Sequence, residues 1–344
     1  IKDIPDGESK DYVIQSILNE NTTQTINFYN ESGEKINSRK KLKGERPEIP
    51  IFLNTHYLKK EFSALNISLD QANCLLFPKF KKFNATSTKV KFALDFGTTN
   101  THIEYRINNG EPKSLAYDNN SSVIGKLFKS EDDPILDKTL DIEFLPSSLG
   151  YEGYFKFPRK TSIHEKPNID HFNSADIFSD YGFPFYYGYE MPLEGTYDSI
   201  HTNLKWDKDL DNLGGKRIKF FLENQVFIIR NLALDLGIKS VDLELISFYP
   251  IAMTTFRLNT FKSSWNNILD KYLPKSKISF LNESVAPYYY YTNTQGVLGT
   301  TRPVVTLDIG GGTTDVSIFL QGNCLGVYSY KFGANYLFGD GRRK

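Results

Sequence analysis

The segment VVTLDIGGGTTDVSIFL, Val304 to Leu320, has three parts. An apolar, β-rich run stops at Asp308. A polar turn follows, Gly310-Gly311-Gly312-Thr313-Thr314. A second alternating run then leads away. About two hundred residues earlier, FALDFGTTNTHIEYRI, Phe92 to Ile107, repeats the design: a run ending at Asp95, the turn Gly97-Thr98-Thr99-Asn100, and a return. Strand, tight turn and strand make a β-hairpin. The chain is therefore expected to carry two copies of one device.

The turn chemistry points to phosphate. Glycines let the backbone approach a ligand and aim successive N–H groups at one spot. Threonine hydroxyls add short donors. An aspartate at a strand end suits a hydrated magnesium ion, which prefers oxygen ligands and keeps much of its water.

These motifs, DFGTTNT and DIGGGTTDV, resemble the two phosphate motifs of the actin, heat-shock-chaperone and sugar-kinase ATPase superfamily. The likeness is closest to the nucleotide-binding domain of the heat-shock chaperones. It implies an α/β fold of ribonuclease-H-like, duplicated actin-type ATPase domains, the second incomplete here, behind an N-terminal extension. The implied boundaries are residues 1–88 for the extension, 89–300 for the first domain with an inserted lobe at about 119–215, and 301–344 for the start of the second. The resemblance covers roughly residues 89–340 and implies that the chain is one segment of a longer protein.

The resemblance also implies roles. ATP or ADP with Mg2+ would be the cofactors. Asp95, Gly97, Thr98, Thr99, Asn100, Gly310, Gly311, Gly312, Thr313 and Thr314 would hold the nucleotide. Asp95, Asp308 and Asp315 would hold Mg2+ through water. Asn282-Glu283-Ser284-Val285-Ala286 resembles the family's Asn-Glu-Pro-Thr-Ala segment with serine at the proline position, which makes Glu283 a catalytic candidate beside Asp308. Lys205, in Leu204-Lys205-Trp206, stands at a point of the chain that resembles the place of the family's lysine that reaches the γ-phosphate, which implies that it offsets charge there. Phe332 to Asp340 resembles the Gly…Leu-Gly-Gly segment that follows the second hairpin. The implied activity is ATP hydrolysis whose nucleotide state switches a protein partner. A small-molecule kinase of the same superfamily and a non-hydrolysing scaffold are the alternatives.

Composition narrows the rest. Lysine plus arginine and aspartate plus glutamate each number 41, so no net field favours nucleic acid. Two distant cysteines, Cys74 and Cys324, make no disulfide framework or metal spacing and point to a reducing, cytoplasmic setting. No apolar run is long enough to span a membrane as a helix. His164-Glu165 lacks the second histidine of a zinc motif, since Asn168 stands in its place.

Helical spacing predicts helices over Lys216–Leu236 and Met253–Leu273, and apolar runs predict strands over Val241–Tyr249 and Ile278–Leu281. That alternation predicts crossovers onto a central sheet. A third strand of the first meander is expected near Lys113–Tyr117, a short strand at Ile142–Ser148, and strands at Gln24–Tyr29 and Ile49–Leu53. The basic run Ser38 to Lys43 reads as a solvated loop. The aromatic run Tyr181–Met191 reads as a loop with buried rings.

Overall fold

A computed structural model describes residues 12–18, 24–42, 52–58, 60–69, 72–78, 85–115, 159–165, 181–182, 200–207, 215–295 and 301–338. The expected strand at Ile142–Ser148 and most of the aromatic run after Gly182 lie outside the described residues.

The N-terminal part folds as two small antiparallel sheets. The strands are β1 (Tyr12–Leu18), β2 (Gln24–Tyr29), β3 (Lys35–Ile36), β4 (Arg39–Leu42), β5 (Phe52–Leu58), β6 (Ala64–Leu69) and β7 (Ala72–Leu76). One sheet runs β1-β5-β4 and the other β3-β2-β6-β7. Phe28, Leu58 and Phe62 form a core of their own with Ile26 and Leu65. The Phe28 and Phe62 rings meet edge to face at 5.1 Å.

The basic run is a correction to the sequence reading. Arg39–Leu42 is not loop but β4, in register with β5 from Arg39 opposite Tyr57 to Leu42 opposite Asn54. Among the described residues, β4 stands at the edge of its sheet, next to β5.

The next strands are β8 (Val90–Phe96), β9 (Asn100–Ile107), β10 (Lys113–Ser114) and β11 (Arg159–Lys160). The first hairpin is therefore real: β8 and β9 pair antiparallel from Val90 opposite Ile107 to Phe96 opposite Thr101. The third strand is shorter than expected, and Ser114 is its last residue. Three two- or three-residue strands, β12 (Ile163–Glu165), β13 (Tyr181–Gly182) and β14 (Ile200–His201), form a small sheet of order β13-β12-β14.

Helix α1 (Lys216–Asp235) is flanked by Gly215 and Gly237, both at positive φ, 70° and 69°. After it come β15 (Leu243–Tyr249), ended by Pro250, then helix α2 (Thr255–Tyr272) and β16 (Lys277–Asn282). Helix α2 starts two residues later than the apolar spacing suggests. Thr254 is its N-cap, and its side chain accepts from the Arg257 N–H at 3.4 Å.

The central sheet has the order β10-β9-β8-β15-β16, with β11 against β9. Strand β8 is parallel to β15, and β15 is parallel to β16. Parallel neighbours need a crossover, and α2 supplies the one from β15 to β16. The core lies between this sheet and the helices: Phe92, Leu94 and Phe96 of β8, Phe221, Val226 and Ile229 of α1, and Phe261, Trp265 and Ile268 of α2 are all buried. Phe96 stacks on Phe261 at 5.9 Å.

Helix α3 (Ala286–Gln295) follows β16 and leads to a second antiparallel sheet. Its strands are β17 (Val304–Ile309), β18 (Thr314–Leu320) and β19 (Asn323–Tyr330), in that order across the sheet, and helix α4 (Ala334–Phe338) closes the described chain. Asp315, Ser317 and Phe319 form the buried side of β18. Phe319 stacks on Tyr288 of α3, with ring centroids 3.7 Å apart. The opposite side of the sheet, with Val305, Leu307, Ile309, Tyr328 and Tyr330, is exposed.

Candidate functional site

In a parallel sheet, ligands bind outside the carboxyl ends of the strands. Here those ends are Asp95 and Phe96 of β8, Phe248 and Tyr249 of β15, and Asn282 leading into Glu283 from β16. The turn of the second hairpin, between β17 and β18, comes down on the same edge. A cleft of about 450 Å3 results, within the usual range of small-molecule sites.

The cleft brings together twelve of the residues singled out in sequence. Asp95, Gly97, Thr98, Thr99 and Asn100 line it from the first hairpin. Gly310, Gly311, Thr313, Asp308 and Asp315 line it from the second, with Lys205 and Glu283 between them. Gly312 and Thr314 are not part of its lining. Gly312 packs against Thr98 and Trp206 instead, and the Thr314 hydroxyl donates to the Phe332 carbonyl at 2.6 Å.

The two turns touch. A Cβ on Gly312 would come within 2.8 Å of Thr98 Oγ1 and 3.1 Å of Trp206 Nε1, and one on Gly311 would fall on the Thr99 hydroxyl. Only glycine permits that approach.

Lys205 is not a surface lysine. It sits on a 3-10 turn, Leu204–Trp206, and is 2 % exposed. Its Nζ donates to Glu283 Oε2 at 2.8 Å. Glu283 opens another short 3-10 turn, Glu283–Val285, which Asn282 caps by accepting the Ser284 N–H. Burial pushes the Glu283 carboxyl above the ordinary glutamate range. Lys205 opposes that shift, and the charges of Asp315 and Asp95 add to it. Asp308 is also raised, by partial burial first and then by Asp315 and Asp95, although it keeps contact with solvent.

Asp315 is buried and fully engaged. Ser284 Oγ donates to its Oδ1 at 3.1 Å and Thr313 Oγ1 to its Oδ2 at 3.0 Å. Ser284, the residue standing where the resembled family has proline, is thus tied to the site. So are Trp206, whose Nε1–H donates to Thr98 Oγ1 at 3.2 Å, and Asn335 of α4, which accepts from Thr99 Oγ1 at 3.2 Å. Trp206 adjoins Lys205 in sequence, and Asn335 lies inside the Phe332–Asp340 segment, but neither has a motif that announces its contact. Phe248, Ala286, Pro287 and Tyr290 give the cleft an apolar wall next to Glu283.

The cleft sets four carboxylates (Asp95, Glu283, Asp308 and Asp315) against one lysine. Among the described residues, no three His, Cys, Asp or Glu side chains converge to ligate a metal directly. Asp95 and Asp308 are exposed and could hold a hydrated Mg2+ ion, whereas Asp315, expected to share that role, is buried with both oxygens already bonded.

No protein-family model matches the chain, and no curated protein matches it. Among solved structures, the chain is similar to MreB5 of Spiroplasma citri bound to ADP, with 11 % identity, 72 % of this chain and 54 % of that one covered, and a TM-score of 0.39. It is similar to MreB5 bound to AMPPNP at 12 % identity, covering 73 % and 55 %, with a TM-score of 0.40. It is similar to an exopolyphosphatase from Cytophaga hutchinsonii at 11 % identity, covering 73 % and 53 %, with a TM-score of 0.27. The chain spans about half the length of these solved structures.

Proposed function

We propose that this chain binds the phosphates of Mg-ATP and Mg-ADP in the cleft between its two hairpins and hydrolyses ATP. The nucleotide state would then switch a protein partner, in the manner of actin-like and heat-shock-chaperone-like proteins. One observation carries the reading: two Asp-led Gly/Thr turns, far apart in sequence, meet at one cleft that also holds a buried Lys205–Glu283 pair. The two free cysteines, both exposed, suit a reducing, cytoplasmic setting.

Backbone N–H groups of the turns and the Thr98 hydroxyl would bind phosphate oxygens. Lys205 holds a positive charge where negative charge develops. Glu283, raised by burial, is a stronger base than an exposed glutamate and would orient the attacking water, with Asp308 as the other candidate. Bound Mg2+ would neutralise phosphate charge.

The apolar wall of Phe248, Ala286, Pro287 and Tyr290 favours a second reading, phosphoryl transfer to a small acceptor beside Glu283.

The test is calorimetry of Mg-ATP with the parent, Asp308→Ala and Thr98→Ala, followed by phosphate release. Binding by the parent and weakened binding by both variants supports the clamp. No binding by the parent sinks it. Binding without release, with or without acceptors, leaves a non-hydrolysing scaffold, and ATP loss only with an acceptor selects the kinase.

A further inference from the structure

The hydroxyls of the two turns are not equivalent. Thr99 donates its proton to Asn335 Oδ1, Thr313 to Asp315 Oδ2 and Thr314 to the Phe332 carbonyl. Thr98 stands apart. Its oxygen accepts the Trp206 indole N–H at 3.2 Å, and among the described residues no protein acceptor takes its own proton. The residue is 6 % exposed and lines the cleft. A buried donor without a partner is costly, on the order of 1–3 kcal/mol, so this one is built to meet an acceptor that comes from the cleft.

We propose that Trp206 is a positioning residue of the phosphate clamp: its indole N–H, donated to Thr98 Oγ1, occupies one lone pair of the hydroxyl and turns the O–H proton away from the ring, toward an anion in the cleft. The proposal rests on the phosphate-binding reading given above.

The geometry supports the role in three ways. A tryptophan N–H is donor only, so the Thr98 hydroxyl cannot donate back to it. The ring does not line the cleft and stays behind the turn. It also contacts both halves of the clamp, since Gly312 leaves room for its Nε1 at the point where a Cβ would stand 3.1 Å away. The Lys331 ammonium sits over the ring, 4.9 Å from its centroid, a cation–π contact that helps to hold the indole. Trp206 thus acts at one remove, by deciding which way one hydroxyl proton points.

The experiment is a double-mutant cycle on binding of Mg-ATP and of inorganic tripolyphosphate, with Trp206→Phe, Thr98→Val and the pair. Phenylalanine keeps a ring and removes the N–H. Valine keeps the shape of threonine and removes the hydroxyl. Each single change is expected to weaken both ligands by roughly three- to thirtyfold, and the pair to be no weaker than Thr98→Val alone. Thr98→Ser, which keeps the hydroxyl, is expected to bind like the parent only while Trp206 is present. Losses that multiply in the pair, or Trp206→Phe binding as tightly as the parent, overturn the proposal and leave the clamp standing. Failure of the parent to bind either ligand overturns both. If Trp206→Phe does not fold, the Thr98→Ser and Thr98→Val comparison still decides: equal weakening of the two, with the hydroxyl present in one, means that the proton is not used.

Discussion

Gly311 and Gly312 matter because of what faces them. The second turn lies against Thr98, Thr99 and Trp206 of the first half of the site, and a methyl group there has nowhere to go. Gly311→Ala is expected to push the two turns apart and weaken tripolyphosphate binding by at least about tenfold, as loss of one charge-assisted hydrogen bond does. The melting temperature should change little, because the turn adds few buried apolar contacts. Isothermal titration beside a thermal melt checks both halves of that statement. At this scale the sequence marks which residues meet at the cleft, through two Asp-led Gly/Thr turns, but not how their hydrogen bonds are allocated. Which threonine keeps its proton depends on Asn335, Asp315, the Phe332 carbonyl and Trp206, and those partners come together only through tertiary packing.

Elements were easiest to read where one period dominated. Both hairpins, both long helices and the strands that follow them stand where alternation or helical spacing puts them. Arg39–Leu42 has no apolar alternation to mark it, and only its pairing with β5 makes it a strand. Helix α1 hides another feature that periodicity does not show. Its Glu223 is 2 % exposed and meets Lys271 Nζ at 3.3 Å and Tyr272 Oη at 3.4 Å, both from α2. Burial raises the Glu223 carboxyl above the glutamate range despite Lys271, and burial with the Glu223 charge pushes Tyr272 up to about 12. Lys271, about half exposed, is held in its charged form by Glu223. A raised carboxyl binds its proton more tightly in the folded chain, so stability falls as pH rises from the ordinary value of 4.5 through the folded one. Glu223→Gln is therefore expected to be more stable than the parent at pH 7 and equal to it near pH 4. Urea titrations at the two pH values would expose the opposite order if the ion pair were the stronger effect.

For the molecule as a whole, the cleft joins parts that sequence analysis treats as separate domains, and its charge is one-sided. Raised Asp308 and Glu283 carboxyls mean that the unliganded chain gains nothing from ionising them, and loses some stability as pH climbs above about 4. A divalent cation reverses that sign, because it favours the ionised form. The upward shift of the melting temperature caused by Mg2+ is thus expected to be small at pH 4 and to grow with pH as the raised Asp308 and Glu283 carboxyls ionise. A flat response, followed by scanning fluorimetry with Ca2+ as a second cation, would remove the carboxylates from any metal role.

The contact between Trp206 and the first turn has an optical consequence. The chain has two tryptophans. Trp265 is 0 % exposed among the core rings, while Trp206 is half-buried beside the cleft, under the Lys331 ammonium. The first emitter reports whether the chain is folded. The second reports what happens at the turns, and a Trp265→Phe protein would let it be heard alone. The site carries its own dye.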